Sequence, residues 1–208
     1  MPFPRFDKLP QEKRERLLEI AAQEFAKHGF EDGSVNRILE RAQMSKGAAY
    51  YYFEDKIDLF FTVVQYGNER LKLINQEVDI AALTEENFWP IFADLHREPL
   101  LRSFEEPWLF AAIKAAGRLS PAVLEREPLA TFAKQIITYV MTIVKRGQEI
   151  GVVRTDIPDE LIFAWLQALD DTGDRWLLVH WEHLDREAVA QVSDQTVDAM
   201  RRVLAPQA

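Results

Sequence analysis

The run from Ser45 to Lys56, SKGAAYYYFEDK, is where the residue types of this chain most clearly suggest a chemistry. Lys46 brings a charge, Gly47, Ala48 and Ala49 are small, and Tyr50, Tyr51 and Tyr52 supply phenol hydroxyls one helical turn later. A helix with small side chains on its first turn can enter a groove about 12 Å wide, the width of the DNA major groove. The nearby hydroxyls and the ammonium of Lys56 suit phosphate oxygens, contacts that fix position rather than sequence. Upstream, Ser34 opens another short segment, with Asn36 just inside it. The hydroxyls of Ser34 and Ser45 can each accept a free helix N–H. Taken singly, Lys56 is an ordinary solvated lysine, and Tyr51 or Tyr52 could pack against a neighbouring helix. Their shared register makes them candidates.

Other constellations carry less. His180 and His183 lie three apart, a spacing that puts two imidazoles on one helix face and could bind metal. No carboxylate-x-x-His pair on another helix completes such a site. Both histidines fall at the expected end of a helix, where a cation interacts well with the dipole, so a structural role is expected. The stretch Glu24 to His28 lacks the second His of a zincin motif, and no Gly-x-Ser-x-Gly elbow, Walker lysine loop or dinucleotide fingerprint occurs. With no cysteine, thiol nucleophiles, zinc ribbons, iron–sulfur clusters and redox pairs are excluded. A helical redox or di-metal protein is the competing class. No catalytic residue, metal or cofactor is expected.

Helices must position these groups, because helical periodicity dominates and no stretch alternates as a strand would. Leu18, Ala21, Ala22 and Phe25 form the apolar face of a first helix that Pro10 can open and Gly29 can close. Two helices too short to stand alone come next, at about Ser34–Arg41 and Ser45–Tyr51. An amphipathic helix buttressing two short capped ones is the arithmetic of a helix-turn-helix unit.

Asp55 can cap a longer helix striped by Phe60, Val64, Gly67, Leu71 and Ile74, reaching towards Val78. Thr84 can cap the next, and Pro99 and Pro107 divide the region beyond it into short pieces ending near Gly117. Ser120-Pro121 is a helix-start pair. A helix from Pro128 to Gly147 is expected, with Gly151 ending any extension. Pro158 and Asp185 start the last two helices. The first of these is apolar nearly all round and needs more than one neighbour.

The 208 residues include 25 Lys and Arg against 34 Asp and Glu, a net charge of −9. Residues 1–60 hold ten basic and eleven acidic side chains, so nearly all the acidity belongs to residues 61–208. A nucleic-acid contact would therefore rest on a few placed cations rather than a broad basic field. The opening MPFPRFDKLP lacks a signal-peptide core, and no run approaches a membrane span, so a cytosolic protein is expected.

The first sixty residues resemble the DNA-binding domain of the tetracycline-repressor (TetR) family of bacterial transcription regulators. Ser34, Ile38, Ala42, Ser45, Lys46, Gly47, Tyr50, Phe53, Lys56 and Leu59 stand at the family's pattern positions, and the likeness covers roughly residues 12–64. Ile38, Ala42, Phe53 and Leu59 read as core. The departures are Leu39 for Ala, Gln43 for the turn Gly, Met44 for Val, Ala48 for Thr, Ala49 for Leu and Tyr52 for His. Gln43 is the most informative: a position favouring φ > 0 costs a non-Gly residue about 1 kcal/mol or more, which predicts a differently built turn.

The resemblance implies an all-α protein: a three-helix head over residues 1–56, then a helical effector-binding and dimerisation domain over 57–208. The implied function is that of a repressor released from a palindromic operator when an effector binds. DNA contacts then fall to Ser34, Asn36, Ser45, Lys46, Gly47, Ala48, Tyr50, Tyr51, Tyr52 and Lys56. The partners implied are duplex DNA, a small-molecule effector and a second copy of the chain, joined through residues 158–204 or so; no membrane is involved. The stripe Val189, Val192, Thr196, Met200 and Val203 on the final helix supports such a dimer face. By the same resemblance, Trp89, Phe92, His96, Phe104, Trp108, Phe132, Tyr139 and Trp165 would line the effector cavity. Lys114, Arg118 and the Asp170–Asp171 pair are further polar candidates. So many aromatics imply an apolar or aromatic effector.

Overall fold

The computed structural model describes residues 2–74, 78–104, 106–116 and 119–206, with the backbone alone at Lys46, Ala48 and Ala49. Among these residues the regular structure is all-helical: α1 (Gln11–Asp32), α2 (Val35–Arg41), α3 (Lys46–Tyr52), α4 (Lys56–Leu71), α5 (Phe88–Arg102), α6 (Pro107–Ala116), α7 (Pro121–Leu124), α8 (Leu129–Glu149), α9 (Asp159–His180) and α10 (Arg186–Leu204). The chain divides into two compact units, Met1–Leu71 with Glu105–Phe132, and Lys72–Phe104 with Ala133–Ala208.

The first unit is built on an aromatic core. Phe25 and Phe60 are fully buried and meet edge-on with ring centroids 4.9 Å apart, and Phe30 joins Phe60 at 5.1 Å. Such edge-to-face pairs add to what their buried area contributes. α6 packs against both α1 and α4. It comes close to α4 because Gly67 has no side chain: a Cβ there would fall onto Ile113 and Leu109. Phe60, Val64, Gly67 and Leu71 are all buried, as their spacing predicts, but α4 stops at Leu71 short of Val78. Lys72 takes φ +54, a left-handed conformation that cannot continue the helix, and Ile74 lies beyond the end. Similarly, Gly29 takes φ +71 without closing α1, which kinks there and resumes as far as Asp32.

The turn between α2 and α3 keeps the geometry that Gln43 was expected to change. Gln43 takes φ +56. Its N–H donates to the Glu40 carbonyl at 3.1 Å, and the Met44 N–H donates to the Leu39 carbonyl at 2.9 Å. These 5→2 and 6→1 bonds form a Schellman motif, which occupies helix-end carbonyls and places a left-handed residue just past the helix. Two hydrogen bonds and the burial of Leu39, only 3% exposed, outweigh the backbone penalty.

In the second unit α10 packs on α5 and α9. Phe88, Trp89, Ile143, Val144, Ile162, Leu166, Val197, Met200 and Leu204 make its core. Pro99 does not divide this region, for it lies inside α5, where it lacks the N–H that would meet the Leu95 carbonyl and its ring crowds that carbonyl without ending the helix. Thr84 and Asn87 bond reciprocally, side chain to N–H, so the cap of α5 sits at Asn87, not Thr84. α8 runs through Gly147 to Glu149, because that glycine serves packing: a Cβ would lie 2.6 Å from Val153 and 2.7 Å from Phe88. Gly151, at φ +77, turns the chain after α8. Asp185 caps α10 by accepting the Ala188 N–H at 2.8 Å.

The final-helix stripe needs correction. Val189 and Met200 are 0% and 3% exposed within one protomer, so they serve its own core. Periodicity identified an apolar face but not what covers it. The metal-spacing reading of the histidines also changes: His180 ends α9, His183 lies in the 3-10 turn just after it, and the two do not share one helix face. The His180 Nδ1 is 2.8 Å from the Trp176 carbonyl.

Gln43 is exposed, so its side chain contributes little to set against the left-handed backbone. Gln43→Gly is expected to raise stability by up to about 1 kcal/mol, read as a higher midpoint in a thermal circular-dichroism melt. An unchanged or lower midpoint would mean that the glutamine side chain holds the turn.

Candidate nucleic-acid interface

The surface around α3 is assembled from two helices that cannot hold themselves in place. α2 and α3 have seven residues each, below the length at which isolated helices persist. The anchor of α2 is Glu24 of α1, a residue only 3% exposed. Its Oε1 accepts the Ser34 backbone N–H at 3.0 Å and the Arg37 Nε–H at 2.7 Å, and it pairs with Arg37 Nη2 at 2.6 Å. Arg37 also donates to the Asp32 carbonyl at 2.9 Å. Burial by itself would raise the Glu24 pKa. The Arg37 and Ser34 hydrogen bonds, with the charges of Arg37 and His28, more than offset this and hold it below the ordinary glutamate value.

Ser34 is the N-cap of α2, its hydroxyl accepting the Arg37 N–H at 3.4 Å. Asn36 lies in the first turn of α2 and is exposed. Ile38, Leu39, Phe53 and Leu59 are buried and Ala42 is half-buried.

α3 presents the candidates outward. Tyr50 is 79% exposed and Tyr51 52%. Ser45 and Gly47 are exposed, and a Cβ at Gly47 would meet nothing within 4 Å. Nothing in the fold asks for glycine there, although glycine in a helix costs about 1 kcal/mol relative to alanine. The side chains of Lys46 and Ala48 lie outside the described residues. Tyr52 turns inward, edge-on to Phe6 at 6.0 Å and to Tyr51 at 4.9 Å.

Lys56 stands at the start of α4. Its Nζ donates to the Glu31 carbonyl at 2.8 Å and lies 4.8 Å from the centre of the Phe30 ring. Burial lowers its pKa, against the opposing charges of Glu31 and Asp32. The ammonium thus ties α4 to the end of α1, with two N–H donors left over. Asp55 accepts the Asp58 N–H at 2.9 Å and caps α4, as expected.

The residues expected around an effector are drawn from both units. Trp89, Phe92, His96, Phe104, Tyr139 and Trp165 belong to the second unit, Trp108 and Phe132 to the first. Phe88, Trp89 and Phe92 pack together, with centroid distances of 5.1 to 6.1 Å. Trp165 and Tyr139 lie against the same core. His96 uses both ring nitrogens within its unit, at 2.7 Å from Ser193 Oγ and 3.1 Å from Asp170 Oδ1. Phe104 lies 5.8 Å from Trp181. Phe132 packs edge-on to Phe61 at 5.9 Å. Asp171 is exposed, Lys114 is half-buried, and Arg118 lies outside the described residues. Sequence reasoning missed Glu24 and Arg37, because a carboxylate and a guanidinium thirteen residues apart carry no local pattern.

Residues 17–63 match the family profile described as bacterial regulatory proteins, tetR family. Over a longer span the chain is similar to the HTH-type transcriptional repressor AcnR of Corynebacterium diphtheriae, at 27% identity over 76% of this chain and 77% of that one. Its fold is similar to that of a TetR family transcriptional regulator from Chloroflexus aurantiacus, with a TM-score of 0.69, 23% identity and full coverage of both chains. It is also similar in fold to FadR of Bacillus subtilis, solved in complex with stearoyl-CoA, with a TM-score of 0.70 and 13% identity over 89% of this chain and 96% of that one.

A carboxyl whose folded pKa is depressed contributes stability that is full above its unfolded value, about 4.3 for glutamate, and is lost as pH falls through the folded value. Glu24→Gln is expected to lower stability at neutral pH, because Arg37 loses its anionic partner, and to flatten the acid limb of the stability curve. Urea unfolding between pH 7 and pH 3 measures both effects. A variant whose acid limb parallels the wild type would remove Glu24 from this role.

Proposed function

This chain belongs to the tetR family of bacterial regulatory proteins, and we propose that it reads a palindromic operator as a homodimer and releases it when a small, largely apolar molecule binds. The observation that carries the reading is the short α3 helix, with Tyr50 and Tyr51 exposed and Gly47 bare, anchored through the Schellman turn to α2. Such a helix suits the major groove. Ser34, Asn36, Ser45, Lys46, Gly47, Ala48, Tyr50, Tyr51, Tyr52 and Lys56 form the proposed DNA surface, with residues 1–56 as the reading head and 57–208 carrying effector binding and dimerisation. Ser34 and Tyr52 already have structural duties, which makes them positioning residues before they are contacts. Repression, rather than activation, is supported by relatives such as the AcnR repressor.

A dimer through residues 158–204 or so is supported by the outer face of α9. There Leu161, Trp176 and Val179 are 40%, 45% and 74% exposed, more apolar surface than an isolated helix face favours. An apolar effector is supported by the aromatic content of the second unit and, at the level of the shared fold, by the acyl thioester bound to FadR. No helix among the described residues is long and apolar enough to cross a membrane.

Selection of random-sequence duplexes on the full chain tests the DNA reading directly: a palindromic consensus is expected, and failure to enrich any sequence would overturn it. On that consensus, Gly47→Ala should weaken binding about tenfold or more, roughly 1.4 kcal/mol, while leaving the thermal midpoint equal or higher. Unchanged affinity would remove Gly47 from the contact surface. Sedimentation tests the interface. Val179→Asp should give folded monomers, whereas Met200→Asp, which buries an unpaired charge in the core, should lose the fold itself. A Val179→Asp dimer of wild-type strength would place the interface elsewhere.

A further inference from the structure

The segment before α1 is part of the α3 surface. The Phe3 N–H donates to the Tyr52 carbonyl at 2.9 Å, hooking the segment onto the end of α3. Phe6, 2% exposed, packs at 5.0 Å against Phe53 and edge-on to Tyr52, and its N–H closes a turn on the Phe3 carbonyl at 2.8 Å. Between these anchors the guanidinium of Arg5 is held by two rings, 4.5 Å from the Phe3 centroid and 4.4 Å from that of Tyr51. Both distances are within the range of a cation–π contact.

Among the described residues Arg5 has no hydrogen-bond acceptor, unlike Arg37, Arg41 and Lys56 of the same unit. Arg37 is committed to Glu24, Arg41 donates to Gln23 at 2.5 Å, and Lys56 donates to the Glu31 carbonyl. Among the described residues Arg5 has no carboxylate partner, and its Nε is buried without a hydrogen bond. Two aromatic rings hold the guanidinium carbon, and among the described residues its nitrogens have no hydrogen-bond acceptor. A planar fork of N–H donors matches the oxygens of a phosphate.

We propose that Arg5, clamped between Phe3 and Tyr51, contacts a backbone phosphate of the bound duplex and fixes the Tyr51 ring beside it. This rests on the DNA-reading function proposed above. It extends the reading head to a segment outside the helix-turn-helix motif and supplies a cation to a surface short of them.

The experiment uses the full chain and a duplex selected on the wild type from a random-sequence library, with affinity followed by fluorescence anisotropy between 50 and 200 mM salt. Arg5→Ala should lower affinity about tenfold and reduce the slope of log affinity against log salt by about one unit, the value for one phosphate. Arg5→Lys keeps the charge but not the planar fork of donors, so it should retain the slope and lose part of the affinity. In a double-mutant cycle with Tyr51→Ala, the Arg5→Ala effect should shrink, since the two side chains form one unit. An Arg5→Ala protein with wild-type slope overturns the proposal. So does a loss of affinity in Arg5→Lys and Arg5→Ala that only tracks a loss of helicity and of thermal midpoint. If the wild type enriches no sequence, the DNA-reading proposal fails first; if it enriches one and Arg5→Ala binds it normally, only the inference about Arg5 fails.

Discussion

The buried carboxylate of Glu24 is the constraint on which the presentation of α3 depends. α2 and α3 are each two turns long, so neither has the length to determine its own position. Glu24 reaches from α1 to the start of α2, where one oxygen takes both the Ser34 N–H and the Arg37 side chain. A carboxylate at 3% exposure is costly unless its lone pairs are met, and removing one partner of such a pair costs more than the pair contributes net. The arrangement therefore penalises every α2 position but one. From α2 the constraint passes through the turn at Gln43 to α3, whose direction is fixed by hydrogen bonds across that turn rather than by the choice of residue in it. Lys56 adds a second tie, from α4 to the end of α1.

This chain of dependence explains what could be read from residues alone. Caps are local, so Ser34, Asp55 and Asp185 were legible, and each accepts the N–H expected of it. The α3 candidates were legible because small and aromatic residues fall in a helical register. The turn was misjudged because propensity at Gln43 counts the penalty of φ > 0 and cannot see the two hydrogen bonds that compensate it. Met200 was misassigned for a related reason: a stripe declares that a face is apolar, but whether α5 or a second protomer covers it is a tertiary fact. Glu24 left no trace, since its partners are brought close only by the fold.

The second unit presents a different balance. Its aromatic residues are largely committed to one another, with Phe88, Trp89 and Phe92 in mutual contact and His96 bonded on both sides to Ser193 and Asp170. A ligand entering such a core must replace contacts that already exist, so its free energy of binding is the difference between what it makes and what it displaces. That favours a flexible apolar molecule able to fit itself to the surface of packed rings over a rigid polar one, whose hydrogen-bonding groups would find His96 already satisfied. Any preference the ligand has for a repacked core appears, by linkage, as an equal and opposite change in affinity for DNA, provided the head senses the repacking.

Charge then sets the terms on which an acidic protein meets a polyanion. The chain carries −9 overall, and its first sixty residues carry no excess of cations. Several of the cations that are present are used internally: Arg37 neutralises Glu24, Arg41 meets Gln23, and Lys56 caps the end of α1. Non-specific binding depends on displaced counterions and hence on the number of cations meeting phosphates, so a head with no excess of cations is expected to bind random DNA weakly. Tyr50 and Tyr51, the exposed side chains of the proposed DNA surface, carry no charge, and contacts from them would act only at close range, where the shape and edge pattern of the groove already fit. In the proposed dimer, duplication would restore what the head lacks in long-range attraction, because two weak heads joined together multiply their affinities only on a duplex that offers both half-sites at the right spacing. Weak electrostatics and paired reading thus act in the same direction. On that reading the first would suppress the many wrong sites, and the second would recover affinity at the few correct ones.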